Sequence, residues 1–204
     1  MALVQIAPGG TLSMEVLLTS TALVAFAEIG DKTMLLAIVL AARFKRHWAV
    51  LAGIFVATLA NHALAAWAGS AVAGLLASRG FQIAVACGFI AMAAWTLVPD
   101  RYDDDADADK ASRYGPFLTT LIAFFIVEMG DKTQIATIAL GARYQDVMMV
   151  AAGTTLGMML ANTPAVFGGE AITRVVPLKW VRAAAALIFL VLGLWTLIEA
   201  MGRP

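Results

Sequence analysis

Residues 28–43 read EIGDKTMLLAIVLAAR and residues 128–143 read EMGDKTQIATIALGAR, an offset of one hundred with nine of sixteen positions identical. Agreement of that length does not arise by chance, so the chain reads as two copies of one unit. The correspondence extends to Gly53 and Gly153, to Trp95-Thr96-Leu97 and Trp195-Thr196-Leu197, and, one residue out of step, to Asn61 and Asn162. Both stretches lie inside apolar runs. Six such runs are present: Met14 to Ala42, Trp48 to Ser70, Phe81 to Val98, Phe117 to Ala142, Val147 to Gly169 and Trp180 to Met201. They are continuous and rich in Ala and Leu. A transmembrane barrel would instead show segments of about ten residues with alternating polarity.

The composition agrees with a membrane chain. Of 204 residues, 61% are hydrophobic and 14% charged, with a mean hydropathy of +0.85; soluble domains carry about 25% charged residues. At about 20 residues per crossing, six helical spans leave no room for a sizeable extramembrane domain. Fourteen acids balance fourteen bases, so nothing draws the chain to nucleic acid. A single cysteine, Cys87, excludes an internal disulfide and a zinc site built from several thiolates. The fold expected is therefore an all-α integral membrane protein of six transmembrane helices. Its first three-helix repeat covers residues 1–98, an acidic cytoplasmic linker 99–115, and its second repeat 116–204.

Three is odd, so the second copy enters the membrane from the opposite side and the two form an inverted pair. Loop charges agree. With the N-terminus outside, inner loops carry Arg43, Lys45, Arg46, Arg101, Lys110, Arg113, Arg174, Lys179 and Arg182, against Arg79, Arg143 and Arg203 outside. The positive-inside rule then puts both termini outside, periplasmic in the inner membrane of a bacterium. The first eleven residues hold no lysine or arginine. They lack the basic region of a cleavable signal, and the first span is expected to stay in the mature protein.

Each copy carries three charges near the middle of its first span: Glu28, Asp31 and Lys32, then Glu128, Asp131 and Lys132. On insertion scales six such charges cost on the order of 15 to 20 kcal/mol unless they pair or bind something. Residues three apart share a helix face, so each glutamate converges with its aspartate, and two-fold symmetry gathers four carboxylates between the repeats. Pairing of Glu28 with Lys32, and of Glu128 with Lys132, one turn along the helix, accounts for half of the charge. Two negative charges remain, which one divalent cation or two protons would cancel. Oxygen donors without cysteine or histidine suit magnesium, calcium or manganese rather than copper or zinc. Thr33, Thr133 and Gln134 offer neutral oxygens, although Thr33 reaches the site only if the helix unwinds near Gly30. Gly30 and Gly130, between the two acids, permit such a break.

The doubled Glu-x-Gly-Asp-(Lys/Arg)-(Thr/Ser) motif resembles that of the Gdt-type cation/proton exchanger family, which includes Golgi and chloroplast proteins and bacterial manganese exporters of the MneA kind. The resemblance covers nearly the whole chain. It implies export of Mn2+ first, or Ca2+ second, in exchange for protons, by alternating access between two inverted repeats. It also implies Glu28, Asp31, Glu128 and Asp131 as ion-binding and protonatable residues, lined by Thr33, Thr133 and Gln134. Position 34 is Met where position 134 is Gln, so the halves differ. The metal is cargo, and no cofactor is expected.

Asn61 and Asn162, in the second helix of each repeat, would singly read as glue between helices, but their pairing across the repeat favours a place among the metal ligands, Asn162 ahead of Asn61. Pro164 cannot donate to the carbonyl of Leu160, which frees an oxygen near Asn162. His62 reads as a packed or hydrogen-bonded core histidine, with proton relay the other reading. Gly153 and Gly157 permit close helix packing. The six aspartates from Asp100 to Asp109 read as a solvated linker, and they do not follow the EF-hand pattern. Glu170 and Glu199 read as solvated or vestibular. A cation channel would use the same carboxylates as a filter. An intramembrane enzyme acting on lipid phosphates would want an arginine at the site, and every arginine falls in a loop or at a span end. The lipid bilayer and a divalent metal ion are the expected partners, with self-association left open.

Overall fold

The structure is a computed structural model that describes residues 9–75, 78–98, 114–169, 171 and 178–202. These residues form eight helices and no strand: α1 (Gly9–Glu28), α2 (Lys32–Phe44), α3 (His47–Leu75), α4 (Arg79–Thr96), α5 (Gly115–Glu128), α6 (Lys132–Tyr144), α7 (Val147–Gly168) and α8 (Leu178–Gly202). Helices α3, α4, α7 and α8 are long and apolar enough to cross a membrane, and they match four of the six apolar runs to within a few residues. The acidic segment from Asp100 to Asp109 and Glu170 lie outside the described residues.

The first and fourth runs do not form single helices. Each is two helices end to end, interrupted within the acidic motif. Gly30 and Gly130 adopt φ of 82° and 78°, a left-handed conformation that costs an L side chain about 1–2 kcal/mol and glycine almost nothing. Asp31 and Asp131 then take extended backbone as N-caps of α2 and α6. Pro116 occupies the first turn of α5, where its missing N–H would have been unsatisfied anyway.

The hundred-residue period recurs in the backbone. Lys45 and Gln145 end α2 and α6 in the left-handed region, with φ of 51° and 53°. Their N–H groups close on Ala41 O and Gly141 O at 2.9 Å each. Packing between units follows the same period. A methyl added at Gly53 of α3 would meet Phe117 O at 2.7 Å and Thr120 Cβ at 2.8 Å, and one at Gly153 of α7 would meet Leu17 O and Ser20 Cβ at those same distances. Each unit's long helix is thus seated on the other unit's first helix. Gly157 extends that approach of α7 to α1, where an added Cβ would meet Thr21 O at 2.6 Å. Helices α4 and α8 meet through Phe89 and Phe189, whose ring centroids lie 6.4 Å apart.

Large apolar side chains lie on the exterior, and polar ones are buried alongside the apolar core. Leu18, Trp67, Leu160, Leu187 and Ile198 are exposed, whereas Ser20, Thr33, Thr58, Asn61, Thr119, Thr154 and Asn162 are buried. A continuous apolar exterior of that kind suits lipid. The buried polar residues at the two helix breaks are Glu28, Asp31, Thr33, Glu128, Asp131, Lys132 and Thr133.

Candidate cation site at the paired helix breaks

Glu28 is the last residue of α1 and Asp31 caps α2; Glu128 and Asp131 hold the same places at the junction of α5 and α6. Helix C-termini carry unpaired carbonyls and partial negative charge, and helix N-termini carry unpaired N–H groups and partial positive charge. The glutamates therefore stand at the ends that favour a cation. The aspartates stand at the ends that favour a carboxylate.

All four acids are buried, with Glu28 and Glu128 at 0% exposure. One oxygen from each of Glu28, Glu128 and Asp131 lies within 4.8 Å of the others. Oxygen ligands on opposite sides of a hard divalent ion at about 2.1 to 2.6 Å would be separated by about 4 to 5 Å, so these three carboxylates are spaced to share one ion.

The lysines do not pair one turn along their own helices, as the sequence had suggested. Lys32 Nζ lies 2.7 Å from Asp131 Oδ1, and Lys132 Nζ lies 3.4 Å from Asp31 Oδ1. Each lysine starts its half-helix, so its side chain extends across the junction to the facing repeat. Exchange of partners between repeats neutralises the two aspartates. No lysine reaches ion-pair distance of Glu28 or Glu128 among the described residues, so the two carboxylates left outside the lysine pairs are those of the glutamates.

The break also brings in Thr33. Its hydroxyl donates to Glu28 Oε2 at 2.5 Å, and Thr133 Oγ1 donates to Glu128 Oε2 at 3.1 Å. Each threonine thereby fixes one carboxylate oxygen and keeps its own lone pairs. Glu28 Oε1 and Glu128 Oε1 are buried and take no hydrogen bond from the protein.

The amides behave differently. Gln134 Oε1 accepts from Gly130 N at 2.6 Å, and its Nε2 donates to Asn61 Oδ1 at 3.5 Å. Asn61 Nδ2 in turn donates to Phe125 O at 3.0 Å. These two groups brace the break. Asn162 Nδ2 donates to Met158 O at 3.0 Å within its own helix, leaving a buried Oδ1 without a hydrogen-bond partner. His62 is fully buried, and neither ring nitrogen makes a hydrogen bond. Glu199 is half exposed and lies 3.5 Å from Arg143 Nη1, beside a cavity of about 230 Å3 lined by Phe81, Gln82, Gln145 and Thr196. The residue that sequence reasoning missed is Phe125, which enters through its carbonyl and so leaves no side-chain signal.

The profile of the family described as "Divalent cation/proton antiporter GDT1" matches the chain twice, over residues 16–104 and 116–204. A Vibrio cholerae protein named "Putative manganese exporter" is 47% identical over 184 residues, covering 90% of each chain. A GDT1-like protein of Synechocystis is 30% identical over 196 residues, covering 85% of this chain and 94% of that one. A GDT1-like protein of Arabidopsis thaliana is 29% identical over 215 residues, covering 88% and 93%. No solved structure matches the chain. The chain belongs to the GDT1 divalent cation/proton antiporter family, multi-pass membrane proteins that transport divalent cations rather than enzymes.

Proposed function

We propose that this protein exports Mn2+, and Ca2+ less readily, from the cytoplasm in exchange for protons. The observation that carries the reading is the pair Glu28 and Glu128, buried, in no ion pair among the described residues, and gathered with Asp131 within 4.8 Å. One divalent cation cancels both charges, and so do two protons. Because either occupant removes the reason for the other, a single site supports exchange. Manganese is preferred to calcium on the name borne by the Vibrio cholerae relative. The ion is held by Glu28, Glu128 and Asp131, with Asp31, Thr33, Thr133 and the free Oδ1 of Asn162 as further oxygens. Asn61 and Gln134 stand behind them.

The architecture proposed is six crossings in two inverted repeats. Helix α5 has 14 residues and α6 has 13, lengths of about 20 Å each at about 1.5 Å per residue. Neither half spans a hydrocarbon core of about 30 Å, but the two in series do. The motif then lies near the midplane, where backbone released by a break is tolerated only beside a polar site. With both termini periplasmic, the repeats rock about the site and open it to each side in turn.

Everted vesicles containing the full-length protein test this reading. Mn2+ uptake should saturate, should move protons the other way, and should fall to background in Glu28→Gln and Asp131→Asn. Undiminished flux in either variant would overturn the site, whereas non-saturating flux without proton movement would indicate a channel.

A further inference from the structure

The two breaks share a backbone but not a brace. In the second repeat Asn61 touches both sides of the junction, donating to Phe125 O at the end of α5 and accepting from Gln134 in the first turn of α6. Gln134 also caps the Gly130 N–H. One residue of α3 therefore links the two half-helices that carry Glu128 and Asp131, and it fixes the angle between them. At the first repeat's break the position one hundred residues from Gln134 is Met34, and the one from Asn61 is Ala161; the asparagine one residue out of step, Asn162, donates to Met158 O within its own helix instead. Among the described residues Gly30 N donates to Met34 Sδ, at 3.4 Å, and a thioether is a weak acceptor. Ala161 has no donor for the carbonyl of Ala25, the counterpart of Phe125. Met34 is buried with Ile38 and Ala165 in an apolar cluster instead.

An N–H or carbonyl released by a break in an apolar surrounding costs several kcal/mol unless something takes it up. The polar bridge confines the second junction to one geometry. The first junction is spanned by Thr33 and Glu28, as the second is by Thr133 and Glu128, but it has no bridge of the Asn61 and Gln134 kind to lose when its angle changes.

We infer that Asn61 and Gln134 are positioning residues that make the second repeat's break the fixed half of the cation site, and that the first repeat's break is the half that moves during transport. This rests on the cation-exchange reading above. Transport of Mn2+ into proteoliposomes tests it as a double-mutant cycle with KM and maximal rate read separately. Asn61→Ala and Gln134→Met should each raise KM about tenfold, by more than they lower the maximal rate, and the double variant should be no worse than the worse single. Met34→Gln with Ala161→Asn builds the bridge into the first repeat and should lower the maximal rate about tenfold with little change in KM. Additive effects on KM in the cycle, or an unchanged maximal rate in the bridged variant, would overturn the inference. Should Ala161→Asn prevent folding, Met34→Gln alone must slow the maximal rate at least about threefold, or the assignment of the moving half falls. If the wild type moves no Mn2+, the cation reading has failed by itself. The same cycle read on thermal unfolding in detergent then decides the bridge, since coupled destabilisation supports it and additive destabilisation removes it.

Discussion

The two acidic motifs are identical at Glu, Gly, Asp, Lys and Thr, and they break their helices at the same glycine. Yet they are seated differently. On the second repeat's side α6 lies against α3 with glycine at both contact points. A methyl on Gly69 would fall on the carbonyl of Ile138, and one on Gly141 on the carbonyl of Ala66. On the first repeat's side the position matching Gly141 is Ala41, and Gly169, matching Gly69, has open space about it. Exposure follows the same division. The Lys32 side chain is 28% exposed and that of Lys132 4%. Duplication supplied one chemistry twice, and divergence outside the motif made one half docked and the other open.

The largest effect expected is on the property both halves share. Glu28→Gln and Glu128→Gln should each reduce Mn2+ flux to background, because each removes half of the charge that a divalent ion neutralises. Retained flux in one but not the other would show that the halves differ at the ion itself and not only in their support.

Next come the lysines, where the halves should part. Lys132→Met leaves Asp31 charged, buried and without its lysine, and breaking a buried pair in that way costs about 3–5 kcal/mol. Lys32→Met leaves Asp131 buried without its lysine as well, but the vacated place is 28% exposed, so water can reach the carboxylate and the cost should be smaller, about 1–2 kcal/mol. Thermal unfolding in detergent at fixed protein concentration measures both. Equal losses would sink the view that the second junction is the enclosed one.

Smaller again is the packing difference. Gly141→Ala forces a methyl onto backbone and should destabilise by about 1–3 kcal/mol, with transport slowed. Gly169→Ala meets no neighbour, and its cost is limited to the left-handed backbone at φ 55°, about 1–2 kcal/mol. A larger loss at Gly169 than at Gly141 would reverse the assignment of docked and open sides.

Much of this arrangement is legible in the sequence, for physical reasons that also mark where legibility ends. The repeat is an identity of residues, so it needs no structure. Four long helices follow from uninterrupted apolar runs, and the acids stand out because a charge inside such a run is costly. The breaks were half legible: Gly30 and Gly130 permit them, but the extended backbone at Asp31 and Asp131 depends on what surrounds each junction. The lysine partners were not legible. Spacing along one helix points Lys32 to Glu28, and only the approach of two segments a hundred residues apart brings it to Asp131. Asn61 was read as a ligand or as glue because its side chain is visible in the sequence, whereas its acceptor, a carbonyl at a helix end, is not.

The smallest effect expected concerns a position where the long helices α3 and α7 bury different polar groups at matched register. Asn162 donates its amide N–H to Met158 O, while His62, one hundred residues earlier, buries both ring nitrogens without a hydrogen bond. A buried polar group left without a partner costs about 1–3 kcal/mol, and an apolar side chain of similar volume removes that cost while adding a mismatch of about 1 kcal/mol. His62→Leu should therefore leave the unfolding temperature unchanged or raise it, with flux within about twofold of wild type. A stable variant that still binds Mn2+ but no longer moves protons would give the histidine a part in exchange. It would then place polar chemistry on α3 that the Asn61 bridge does not supply, and the docked half could no longer be regarded as a passive support.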